Sequence, residues 1–203
     1  MAENAAPAGS AGSGAPGRGP RQLRADAQRN VGALLEAAKA VFVSTGVDAP
    51  AKEIADLAGV GVGTLYRHFP QRSDLVVAVL EHEIDACADA AAALAAAHEP
   101  GEALASWLHR YTEFVATKRG LAAALHSGDP AFDSLPGYFM QRTEPALAAL
   151  LEAAVAAGEI RPAVSATDLL HAVALLCTPV PGGSPAYSQR MVALLIDGLR
   201  QAG

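Results

Sequence analysis

Cysteine is nearly absent from this 203-residue chain: there are two, Cys87 and Cys177, far apart and in no metal-ligand spacing. Two such residues exclude a disulfide framework and suit a reduced cytoplasm. Long hydrophobic runs are missing as well. The longest, such as residues 90–97, are mostly alanine and too short to cross a bilayer, so no membrane partner is expected. Met1–Pro20 lacks the apolar core of a secretory leader. Strand-type alternation of useful length is missing, and so is any repeat at a fixed period. The six histidines (68, 82, 98, 109, 126 and 171) fall in no HxxEH-type arrangement, and the cysteines form no CxxC. There is no strand followed by a Gly-rich phosphate loop, and no nucleophile elbow. These absences argue against an enzyme, and neither a metal nor a cofactor is expected. The run Glu81-His82-Glu83 with Asp85 reads as the charged outer face of a helix.

What is present is apolar and helical. Hydrophobic residues make up 51% of the chain and charged residues 18%, enough for a buried core. The length allows one ordinary domain or two small ones sharing a core. The net charge of −6 is spread unevenly. Residues 18–75 hold eight Lys or Arg against six acids, whereas 76–203 hold seven against fourteen. The N-terminal third alone approaches phosphate without net repulsion.

Residues 1–20 are Ala, Gly, Pro and Ser with almost nothing to bury, and a disordered tail is expected over 1–22. Its end carries Arg18, Arg21 and Arg24, a candidate arm for DNA phosphates or simply a solubilising leader. From Asp26 the pattern is helical nearly everywhere. Val31, Leu34, Leu35, Ala38, Val41 and Phe42 recur at three- and four-residue steps up to Gly46. Pro50 opens a second helix that stops at Gly59. A third spans about 62–69, and a long fourth follows Ser73-Asp74. Further helices are expected over 101–118, 119–127, 136–157, 165–177 and 184–201. The last two are separated by Pro179, Pro181, Gly182 and Gly183. The fold class is all-α, with about nine helices.

The informative stretch is Lys52-Glu-Ile-Ala-Asp-Leu-Ala-Gly-Val-Gly-Val-Gly-Thr-Leu-Tyr-Arg-His-Phe69. Ile54, Ala55 and Ala58 form an apolar face whose alanines let two helices approach closely. Gly59 supplies a left-handed residue that ends the first helix, and Val60 plugs the turn. The second helix buries Leu65 and Phe69. Val62, Gly63, Thr64, Tyr66, Arg67 and His68 are left on its outer surface or N-terminal end. With Lys52 and Arg72 they make a surface without an acid, which favours phosphate. Such a helix fits the major groove, N-terminal residues nearest the base edges.

The segment resembles the DNA-binding domain of the TetR family of bacterial regulators. The likeness rests on Ile54-Ala55, Ala58-Gly59-Val60, Gly63-Thr64-Leu65-Tyr66, His68-Phe69 and the basic Arg72, and covers residues 26–80. It implies phosphate contacts from Thr64, Tyr66 and His68. Arg72 would be a phosphate anchor and Lys52 a further contact. Gly61, Val62 and Gly63 would lie nearest the bases, and Arg67 within reach of a base or a phosphate. In this chain Pro50 and Gly61 stand where members usually carry Thr or Ser, so hydroxyl caps are lost. Direct readout would rest on Val62 against a thymine methyl, on Arg67 and on DNA shape.

The resemblance divides the chain into a helix-turn-helix domain over 23–72 and a ligand-binding and dimerisation domain over 73–203. It implies a homodimer on an operator of double-stranded DNA, responsive to a small-molecule effector. Leu169, Leu170, Val173, Leu176 and Cys177, with Tyr187, Met191, Leu194, Leu195 and Leu199, mark two apolar helices for a four-helix dimer interface, or for intramolecular core. Trp107, Tyr111, Phe114, Phe139 and Met140, with His126 and His171, are candidates for the pocket of an apolar or aromatic effector. A ligand-responsive repressor is therefore expected. The alternatives are a helical small-molecule carrier that has lost specific DNA binding, and a helical enzyme of unrecognised type.

Overall fold

The computed structural model describes residues 20–162, 164–178 and 186–200, with side chains from residue 28 onward. The expected tail lies outside the described residues except for its last three positions, which begin the first helix. The Pro179–Gly183 separator also lies outside them. Among the described residues the chain is nine α-helices and one 3₁₀ turn. The strand-like pairing among them is an isolated bridge of Ile160 with Arg200. The all-α expectation therefore stands.

Helix α1 (Pro20–Ser44) buries Leu34, Leu35, Ala38, Val41 and Phe42, the stripe its spacing defines. It stops at Gly46, whose φ of +95° no β-branched residue tolerates. Helix α2 (Ala51–Leu57) starts after Pro50 and buries Ile54 and Ala55. Gly59 at φ +69° turns the chain, and the Val60 amide donates to the Ala55 carbonyl at 3.0 Å. Helix α3 (Val62–His68) follows with Leu65 buried inward.

Helix α4 (Arg72–Ala97) is 26 residues long, so it reaches about 39 Å. Asp74 accepts from the Gln71 amide at 2.9 Å and fixes its first turn. Its Leu75, Val76, Val79, Ile84 and Cys87 are buried in one core cluster, and the helix packs on α1, α5 and α7. The boundary expected between residues 72 and 73 thus falls at the first residue of a helix that runs through both parts of one continuous core.

The body is built on α4, α5 (Pro100–Gly120) and α7 (Leu135–Ala156), which pack mutually and contribute Leu104, Leu108, Leu147 and Leu150 to the buried core. The short α6 (Ala122–Leu125) and the 3₁₀ turn Pro130–Phe132 bridge α5 to α7. Arg142 of α7 joins Asp85 and Asp89 of α4 at 2.6 and 2.8 Å, and Tyr138 donates to Asp85 at 2.8 Å. Helices α8 (Ala166–Leu176) and α9 (Tyr187–Leu199) close the fold. Ser165 caps α8 by a reciprocal pair of bonds with Asp168. Pairing of the Arg161 amide with the Leu199 carbonyl at 2.9 Å ties the end of α9 to the α7–α8 turn.

Nothing lies within 4 Å of where a Cβ on Gly59 would sit, so a side chain there meets only backbone strain. Gly59→Ala is expected to lower the unfolding free energy by about 1–2 kcal/mol, measured by urea denaturation. No change would mean that the turn does not hold its left-handed conformation.

Candidate functional site

Helix α3 turns one face outward. Gly61, Val62, Gly63, Tyr66, Arg67 and His68 are exposed, and Thr64 is half-buried. Tyr66, an aromatic residue, is 54% exposed, whereas Phe69 beside it is buried. That difference separates a surface aromatic from a core one. The face of α3 itself carries no acid. No carboxylate lies in its first turn, and its last turn holds Arg67 and His68. Side chains with hydroxyl, guanidinium and imidazole donors on one exposed surface suit an anionic backbone.

Two expected members of this surface are placed differently. Lys52 is exposed on α2, but its Nζ lies 2.6 Å from the carboxylate of Asp56 one turn on. The surface is therefore not free of acid at that edge. The i, i+4 spacing makes the pair, and an exposed pair of this kind is weak enough to open toward phosphate. Arg72, the expected phosphate anchor, is turned inward. It is half-buried, and its Nη2 donates to the Ala49 carbonyl at 2.5 Å. Its Cζ stands 5.8 Å from the Phe42 ring centroid, and its Nη1 is buried without a partner. Arg72 thus bolts the first turn of α4 to α1 and to the turn before α2.

The body encloses a cavity of about 720 Å³ walled by α4, α5, α6, α7, α8 and the 3₁₀ turn. Six of the seven pocket candidates, Tyr111, Phe114, Phe139, Met140, His126 and His171, line it. Trp107 does not. It is fully buried behind the wall, its Nε1 donating to the Cys87 carbonyl at 2.8 Å. It stacks on Tyr111 at 5.8 Å between centroids. Tyr111, Phe114 and Phe139 stack on one another at 5.5–6.1 Å, making an aromatic wall. Burial pushes the Tyr111 phenol up, so it stays protonated and donates to the Leu170 carbonyl at 3.2 Å. Burial likewise raises the Cys177 thiol, which lines the cavity, and lifts the Cys87 thiol to about 12. Neither is set up as a nucleophile. Sequence reasoning missed Lys118 and Arg119, which continue the Tyr111–Phe114–Val115 stripe of α5 at helical spacing.

Residues 34–79 match the family described as bacterial regulatory proteins, tetR family. Residues 99–201 match the C-terminal domain of SbtR-like transcriptional regulators. The chain is similar to a TetR transcriptional regulator of Streptomyces coelicolor, at 36% identity over 85% of this chain and 99% of that one, with a TM-score of 0.72. It is similar to a TetR regulatory protein of Mycobacterium vanbaalenii at 38% identity, over 88% and 99% of the two chains, with a TM-score of 0.72. The chain belongs to the TetR family.

A helix-turn-helix transcriptional regulator of Staphylococcus aureus shares 39% identity over 64 residues, which are 31% of this chain and 35% of that one. The chain thus spans about a third of the length of the curated relatives it matches. The helix-turn-helix match lies N-terminal to the match with the C-terminal regulator domain.

The two closing helices of this TetR regulator divide the expected interface residues. Leu169, Val173 and Leu199 are buried within the chain and belong to its own core. Leu176, Tyr187, Met191 and Leu195 are half-buried. Leu194 is 62% exposed, and so is Leu175 at 73%, a residue that the spacing does not single out. Helix α8 is apolar on most of its circumference, so periodicity alone names no outer face.

Among the described residues one grouping of metal-ligating side chains arises across the fold. Glu36 of α1 and His82 and Glu83 of α4 bring donor atoms within 4.8 Å of one another. His82 Nε2 lies 3.2 Å from Glu36, and Lys39 Nζ 2.7 Å from Glu83. The cluster reads as ion pairing between the two helices, and Lys39 already supplies its cation.

Arg72→Met should lower the unfolding free energy by about 1.5–3 kcal/mol in urea denaturation. Arg67→Met, on the exposed face, should change it by less than about 0.5 kcal/mol. Equal effects would remove the inward, bolting role of Arg72.

Proposed function

We propose that the chain is a ligand-responsive repressor that binds double-stranded operator DNA as a homodimer. The observation that carries this reading is the outward face of α3: Thr64, Tyr66, Arg67 and His68 stand together, exposed or half-exposed, with no acid on the helix. In this reading Thr64, Tyr66 and His68 hold phosphates, and Lys52 leaves Asp56 to join them. Gly61 and Gly63, which have no side chains, let the backbone come close to the base edges. Val62 meets a thymine methyl, and Arg67 reaches a base or a phosphate. Arg72 contributes by fixing α4 under the helix-turn-helix rather than by touching DNA. Two free, buried cysteines suit the reducing cytoplasm where such an operator is read.

The dimer contact is assigned to α8 and α9, where Leu175 and Leu194 stand in solvent. Two heads are then carried at fixed spacing, as half-site recognition requires. The effector is assigned to the 720 Å³ cavity. Leu80 and Ile84 of α4 line that cavity, and Arg72 and Leu75 of the same helix hold the head. An occupant that displaces α4 therefore changes the separation of the two heads. The carrier alternative draws on the same cavity and on the bare glycines at 61 and 63.

Anisotropy titrations on the DNA upstream of the chain's own gene separate the readings. Binding should prefer that DNA and weaken steeply with salt, and Arg67→Ala should flatten the salt slope by about one. Leu194→Glu should yield monomers in sedimentation equilibrium and weaken DNA binding. Absence of sequence-preferring binding at any salt would leave the carrier in place of the repressor.

A further inference from the structure

The cavity is polarised along its depth. Leu80, Ile84, Phe114 and Phe132 line it and are buried. The polar groups of the interior are already engaged or neutral: the Tyr111 hydroxyl donates to Leu170, and the Cys177 thiol is protonated. A ligand finds no unengaged hydrogen-bonding side chain there, so its inner part is hydrocarbon. The exposed margin is different. Lys118, Arg119, His126 and His171 all line the opening and are all exposed. Among the described residues no Asp or Glu lines the cavity.

Lys118 and Arg119 sit in the last turn of α5, where the helix dipole alone favours cations. That accounts for their place on the helix but not for the missing counter-charge. Arg119 Nη1 donates to the Cys177 carbonyl at 2.7 Å, which holds its guanidinium at the cavity, and its other N–H donors bond to no other described residue. Lys118 makes no ion pair among the described residues. His126 donates Nδ1 to the Ala122 carbonyl at 2.7 Å and is thereby oriented. An opening with two cations, of which Arg119 is held in place, and two imidazoles repels an ammonium and attracts an anion.

We infer that the cavity takes an anionic amphiphile, a flat or extended apolar body ending in a carboxylate, with the body against the Tyr111–Phe114–Phe139 wall and the carboxylate at Lys118 and Arg119. The inference rests on the reading of this cavity as the effector site and names its ligand class. The volume suits a ligand of drug-like size. The three lining rings lie near-parallel, 8–25° apart, an arrangement that suits a planar body.

The chain's single tryptophan supplies the readout, since Trp107 stacks on Tyr111 from behind the wall. Three probes share one flat body and differ at the head: 1-pyrenebutyric acid, 1-pyrenebutanol and 1-pyrenebutylamine. Each is titrated into the full chain while Trp107 emission is followed. The acid is expected to bind about tenfold tighter than the alcohol, and the amine more weakly than either. Raising salt should narrow the gap between acid and alcohol. Lys118→Met, which breaks no described ion pair, should narrow it about threefold by weakening the acid.

Equal affinities for the three, or a preference for the alcohol or amine, would overturn the anionic class and leave the cavity as an apolar site. Failure of all three to quench Trp107 would remove the cavity reading and this inference together. Tight, selective binding of the acid that leaves DNA anisotropy unchanged would support the ligand class and count against the effector role.

Discussion

Helix α4 belongs to two packings at once, and the rest of the structure depends on that. Its first turn is held to α1 by the Arg72 guanidinium over Phe42 and by the bond to the Ala49 carbonyl. Its middle contributes Leu80 and Ile84 to the cavity. Its outer face is clasped to α7 through Asp85 and Asp89. A rigid helix about 39 Å long cannot shift at one end without shifting at the other. Head and body are therefore mechanically joined even though their sequences look unlike. The Glu36–His82 and Lys39–Glu83 pairs add a second line of contact between α1 and α4.

Charge is distributed to match. The α3 face shows donors and no carboxylate, and the cavity shows, among the described residues, cations and imidazoles and no carboxylate. Both occur in a chain whose net charge is −6. A net charge says little about binding when acids are kept off two surfaces and gathered on others. The ion pairs of α4 show where some of them went: Glu83, Asp85 and Asp89 are all engaged with cations of neighbouring helices.

The helix-turn-helix was legible because its determinants are local. Gly59 at positive φ, the apolar Ile54 and Ala55, and the alternation of Leu65 and Phe69 with outward side chains all act within about twenty residues. Each follows from turn chemistry or helical spacing. Six cavity residues were legible for a weaker reason: large apolar and imidazole side chains on middle helices have few other places to converge. Trp107 shows the limit, since a residue of the right type one turn from Tyr111 faces the core instead.

Sequence alone determined the all-α class, the motif over residues 52–69 and the outward set on α3, because spacing along one helix decides which side chains share a face. Tertiary structure alone decided that Arg72 bonds a carbonyl 23 residues before it and that Glu36 meets His82. It also decided that Leu169 and Val173 are core while Leu175 and Leu194 are bare. A helix with apolar residues on several sides has more than one face it can bury, and only its neighbours choose among them.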